Sequence, residues 1–99
     1  MVGADALYTD TFVSMGQEAE TAKRLPIFAP YQINMPLVKL TQKNPIILHC
    51  LPAHRGVEIT SEVLESPLSV VFDQSENRLY TQKALMLCLM NPPMFQNLP

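Results

Sequence analysis

The stretch PIILHCLPAHRG, residues 45–56, decides the fold of this chain. Its first half is apolar without alternation, which suits a buried parallel strand better than a half-exposed antiparallel one. Its second half packs a histidine, a thiol, a proline, a second histidine and an arginine into positions 49–55. A parallel strand needs a partner reached by a long crossover, so the flanks must supply another strand with helices between.

Upstream, ADALYTD has the character of a short strand ending near Thr9, and a Gly-containing loop then leads into a helix through QEAETAKRL. Ser14, with Gln17 three residues on, is the expected cap of that helix, and Pro26 should weaken it. Asn34 stands ahead of a second short helix with Pro36 in its first turn, a position proline tolerates. Downstream, Thr60 is placed to cap SEVLE, LSVVF reads as a third strand, and DQSENRLYTQKALMLCLM as the longest helix, with Asp73 and Glu76 at capping-box spacing. Strand and helix alternating three times is the order of a parallel α/β sheet. Ligands collect beyond the carboxyl ends of such strands. Asp10, the His49–Arg55 cluster and the loop before Arg78 all fall there.

The 99 residues allow one small domain, which hides only about two-thirds of the unfolded chain's surface. With 47% apolar and 16% charged residues the chain is globular in composition. Seven Lys and Arg against nine Asp and Glu offer no basic surface for a nucleic acid. The longest apolar run, ALMLCLM at 84–90, is far short of the roughly 18 residues a membrane span needs. The N-terminus carries acids where a secretory leader carries bases, so the cytosol is the expected compartment. Cys50 and Cys88 are too few for a disulfide framework and are read as thiols. The same run is apolar on every side, whereas a surface helix needs only a stripe. Such a helix wants cover that so small a sheet cannot supply, and another polypeptide surface is expected to provide it.

Chemically, HCLPAHRG admits several readings. A zinc site from His49, Cys50 and His54 lacks paired ligand spacing, and neighbours on a strand point to opposite faces, so no metal and no cofactor is expected. A thiol nucleophile with a histidine base remains open, because spacing alone sets neither imidazole against the sulfur. Packing or a satisfied polar strand end is the plain alternative for each residue taken singly, and a surface ion pair is the plain alternative for Arg78.

Three stretches become specific as a set: YTDTFVSMGQE at 8–18, HCLPAHRG at 49–56 and VVFDQSENRLYTQKA at 70–84. In order and spacing, over about residues 3–90, they resemble the ornithine-binding half of the aspartate/ornithine carbamoyltransferase family. The aspartate branch is similar but has a proline where this chain has Cys50, and SMG matches the ornithine type better than the putrescine type. The resemblance implies a partial Rossmann-like domain over 1–91, with about three parallel strands and flanking helices, and a tail at 92–99. It implies substrate-binding roles for Asp10, Ser14 and Met15 at the head and amine of ornithine. Cys50 and Leu51 would lie beside the reacting amine and the carbamoyl group, and Arg78 would aim at the carbamoyl oxygen. Cys50 and Arg78 are thus the implied catalytic residues. His49, His54 and Arg55 are read as shaping the loop.

The Ser-Thr-Arg-Thr loop and His-Pro-x-Gln segment that grip carbamoyl phosphate in the family do not occur here. In the family the last helix packs on that other domain, which accounts for the oily run at 84–90. Carbamoyl transfer by this chain alone is therefore not expected. Three outcomes follow: a module with weak ornithine recognition, an oligomeric interaction protein with a relic site, or one half of a split enzyme completed by a separate carbamoyl-phosphate-binding domain. A homo-oligomer through the C-terminal helix, by helix or domain exchange, is expected.

Overall fold

In the computed structural model, which describes residues 1–91 and 93, the chain is a mixed α/β unit built on a short parallel sheet. Strand β1 (Ala6–Thr9) pairs in parallel with β2 (Ile46–His49), Ala6 opposite Ile46 and Thr9 opposite His49. The crossover between them carries a 3-10 turn (Glu18–Glu20), helix α1 (Thr21–Phe28), a second 3-10 turn (Ala29–Tyr31) and helix α2 (Met35–Lys39). Helix α3 (Ser61–Leu64) and the long α4 (Val71–Met90) follow β2. All but one residue of the expected 92–99 tail lies outside the described residues.

The third expected strand is reduced to one bridge. Ile47 N–H donates to the Leu68 carbonyl at 2.8 Å, Val70 N–H donates to the Ile47 carbonyl at 3.0 Å, and Ser69 alone pairs with Ile47. Val71 is already helical and buried, so the β-branched pair that suggested a strand instead seats the start of α4 in the core. Among the described residues the sheet therefore has two strands rather than about three.

Alternation along both strands decides what is covered. Leu7 and Ile47 point into a core completed by Ile33, Val38 of α2, Ile59, Val63 and Leu64 of α3, and Val71. On the opposite face Tyr8 and Ile46 are 57% and 45% exposed. Parallel sheets are normally covered on both faces, whereas among the described residues nothing covers this face. Among the described residues the outer edge of β1 has no ladder partner.

Two helix starts follow their sequence signals. Asn34 accepts from Leu37 N–H at 3.0 Å with Pro36 in the first turn, and Thr60 accepts from Val63 N–H at 3.4 Å. Two do not. Ser14 caps no helix: residues 14–17 close a turn, Gln17 N–H to the Ser14 carbonyl at 3.0 Å, and α1 begins only at Thr21. Helix α4 starts two residues before Asp73, with Val70 at its N-cap making no side-chain cap, and Glu76 instead accepts from the Tyr80 hydroxyl at 3.3 Å. Pro26 does not end α1, which runs two residues past it with no buried residue.

Helix α4 projects from the body. The radius of gyration is 17.2 Å, against roughly 13 Å for a compact chain of this length. Leu79, Leu85, Met86, Leu87, Leu89 and Met90 are all exposed.

Candidate functional site

The open sheet face leads into a cleft of about 790 Å³ at the carboxyl ends of the strands. Period two puts Tyr8 and Asp10 of the first strand segment, and Leu48 and Cys50 of the second, on that side. Helical spacing adds Gln74 and Arg78 from the first turns of α4. Among the described residues Arg78 has no carboxylate within ion-pair distance, which removes the surface ion pair as its explanation.

Asp10 and Cys50 are joined directly. The Cys50 thiol donates to Asp10 Oδ1 at 2.9 Å, and Thr11 N–H donates to the same oxygen at 2.6 Å. These two bonds, the thiol's first, hold the Asp10 carboxyl below its ordinary range. Burial, then the bond to Asp10, pushes the Cys50 thiol up. A sulfur held in its protonated form is a donor rather than a nucleophile.

Neither imidazole serves that sulfur as a base. His49 is fully buried on the other face, where its Nδ1 accepts from Leu51 N–H at 2.8 Å and its Nε2 lies 3.1 Å from Glu58 Oε1. The backbone donor at Nδ1 fixes the tautomer, so Nε2 carries the hydrogen given to Glu58. Glu58, also fully buried, accepts from His54 N–H at 2.5 Å as well. The carboxylate thus ties the strand end to the loop after it. Leu51, at φ 54°, sits in the left-handed region non-glycine residues rarely adopt, between these two bonds.

Ser14, Met15 and Leu51 line a second cleft of about 610 Å³, together with Thr11, Pro52 and His54. Gly16 has φ +85°, which a side chain would strain, and its N–H donates to Glu18 Oε1 at 3.0 Å. The structure therefore divides the expected residues: Asp10, Cys50 and Arg78 share one cleft, and Ser14, Met15 and Leu51 share its neighbour. Met15 is 96% exposed. The loop is tied to α1 by Arg24, whose Nε donates to the Phe12 carbonyl at 3.1 Å while its guanidinium lies 5.4 Å from the Phe28 ring centroid.

Sequence reasoning passed over Tyr8, Gln74 and Glu58. The first two had a signal: Tyr8 precedes Asp10 by one strand period, and Gln74 precedes Arg78 by one helical turn. Glu58 had none, because its partners come from folding of the loop.

Comparison with known proteins decides the family. Residues 1–89 match the aspartate/ornithine carbamoyltransferase, Asp/Orn binding domain. The chain belongs to that family. Ornithine carbamoyltransferase from Chlorobaculum tepidum is 53% identical over 93 residues, which are 94% of this chain and 28% of that protein. The solved ornithine carbamoyltransferase of Pyrococcus furiosus superposes with a TM-score of 0.78 at 53% identity, covering 87% of this chain and 28% of the other. The anabolic enzyme of Campylobacter jejuni gives 0.83 at 38% identity, covering 92% and 30%. The chain thus spans less than a third of the length of these carbamoyltransferases and corresponds to part of their Asp/Orn binding domain. Among the described residues no helix is long and apolar enough to cross a membrane, and no cluster of His, Cys, Asp and Glu is placed to hold a metal ion.

Proposed function

We propose that this chain recognises ornithine or a closely similar amino acid weakly, as the amino-acid-binding part of a carbamoyltransferase, and does not transfer carbamoyl groups by itself. The observation that carries the reading is the union of Asp10, Cys50 and Arg78 in one open cleft. A carboxylate kept charged suits the ammonium of the amino acid. The hydroxyl and backbone groups of the Ser14–Met15 loop suit its head, and the Cys50 and Leu51 carbonyls the carbamoyl NH₂. Arg78 offers positive charge where the carbamoyl oxygen would become negative. A two-substrate transfer also needs the phosphate donor held against the amine, and that orientation supplies much of the rate. The chain spans under a third of its relatives, and the resemblance assigns that grip to sequences absent here.

Calorimetric titration of the 99-residue chain with L-ornithine should give weak, saturable heat that disappears in Asp10→Ala. Equal binding by wild type and Asp10→Ala overturns the recognition. Citrulline formed from ornithine and carbamoyl phosphate by the purified chain overturns its inactivity.

A second reading rests on α4. Its exposed apolar end fits an interface, with a second copy of the chain or with a separate carbamoyl-phosphate-binding domain. Self-association through α4 and complementation by such a domain are alternatives that a mixing experiment separates, since only the second restores citrulline formation. We place the role in the cytoplasm, where two free thiols, Cys50 and Cys88, persist.

A further inference from the structure

We propose that His54 is a binding residue of the second cleft, its hydrogen held on Nδ1 by Thr11 and Glu58 so that Nε2 presents a lone pair to the α-ammonium of an amino-acid ligand. Two oxygens flank Nδ1: the Thr11 hydroxyl at 3.3 Å and Glu58 Oε1 at 3.6 Å. The hydroxyl has one hydrogen, and Thr11 gives it to the Val13 carbonyl at 3.0 Å. Toward the ring the hydroxyl is therefore an acceptor. Glu58 Oε1, which takes hydrogens from the His49 ring and from His54 N–H, is an acceptor as well. A lone pair at Nδ1 would face two electron-rich oxygens, whereas an N–H there donates to the first and is attracted by the second. The hydrogen belongs on Nδ1.

Nε2 is then the acceptor end of the neutral imidazole. The side chain is 56% exposed and lines the second cleft, and among the described residues no hydrogen bond uses Nε2. The two histidines thus hold opposite tautomers. Leu51 N–H on Nδ1 leaves the His49 hydrogen on Nε2, and Thr11 keeps the His54 hydrogen on Nδ1.

The rest of the cleft suits a cation on an apolar stem. Glu18 supplies a carboxylate, whose Oε1 accepts from Gly16 N–H at 3.0 Å, and among the described residues no Lys or Arg lines the wall. Leu25, Leu51 and Val57 supply apolar surface. An ammonium donates and cannot accept, so the Nε2 lone pair is its complement. Of the two amines of ornithine, the side-chain one is left to Asp10 in the neighbouring cleft. His54 takes the α-ammonium, in the cleft that Ser14 also lines. The identity of the ligand rests on the ornithine reading, whereas the tautomer does not.

The full 99-residue chain tests both parts. Its two histidines give separate ring signals in a long-range proton–nitrogen correlation spectrum at neutral pH, and His54→Gln identifies the His54 set. His54 should show the Nδ1–H form and His49 the Nε2–H form. Thr11→Val removes the acceptor but keeps the shape of the side chain, and should raise the Nε2–H share at His54. In calorimetric titrations the wild type should bind L-ornithine more tightly than δ-aminovalerate, which lacks the α-ammonium. His54→Leu should weaken ornithine about tenfold, as loss of a hydrogen bond to a charged group does, and leave δ-aminovalerate unchanged. A merely structural role would weaken both alike. Should His54→Leu not fold, Thr11→Val should weaken ornithine in the same selective way. Heat from neither ligand in the wild type would overturn the amino-acid reading and this assignment together. An Nε2–H or doubly protonated His54, or equal loss of both ligands, would overturn this assignment alone.

Discussion

Asp10 is where charge in the cleft is decided. The Cys50 thiol and Thr11 N–H keep its carboxyl below the ordinary value of 3.8. A depressed carboxyl contributes above its unfolded value and loses that contribution as pH falls through the folded one. Ornithine titrations should therefore give level affinity from neutral pH to about pH 5 and weaken only further down. Glu58 governs the loop instead. Removing one partner of a buried, hydrogen-bonded pair leaves the other unsatisfied, so Glu58→Ala should cost about 3 kcal/mol in urea unfolding. Much of this scale was legible: the motifs pointed to Asp10, Cys50 and Arg78, and folding brings those three to one cleft. The loop residues Ser14, Met15 and Leu51 line a separate cleft, together with Pro52 and His54. The Glu58 contacts were not legible, since a loop's path determines them and no periodicity does.

Among the elements, legibility tracked whether a signal was local. Asn34 and Thr60 need only the next three residues to act as caps, and both do. The third strand depended on space: Pro67 stands before it and α4 takes Val71, leaving three residues to reach Ile47. Helix α1 shows propensity overridden only in part. Pro26 has no N–H for the Ala22 carbonyl, yet the turn continues through Phe28, whose ring stacks against Phe12 at 5.4 Å. Pro26→Ala should restore that bond and stabilise the chain, by up to about 3 kcal/mol, read as a higher urea midpoint with unchanged slope.

The whole molecule is a half-covered body with a protruding helix. A 20-residue helix reaches about 30 Å, and Leu85, Met86, Leu87, Leu89 and Met90 in the outer part of α4 are exposed. At about 25 cal/mol per Å² of apolar surface removed from water, covering several such side chains favours association. Sedimentation at micromolar concentration should show an oligomer, and Leu87→Glu should return it to monomer. A monodisperse wild-type monomer would refute this. That the run at 84–90 lacks a polar face was plain in the sequence, but the bared sheet face was not, because an all-apolar strand reads as covered on both sides.

The margin of β1, unpaired among the described residues, carries a different consequence. A strand with a free row of amide and carbonyl groups is a template on which any extended segment can continue the ladder. Crowding such chains invites stacking through the backbone, indifferent to side-chain identity, so shelf life and solubility would be governed by that rim even after the greasy helix has been made polar.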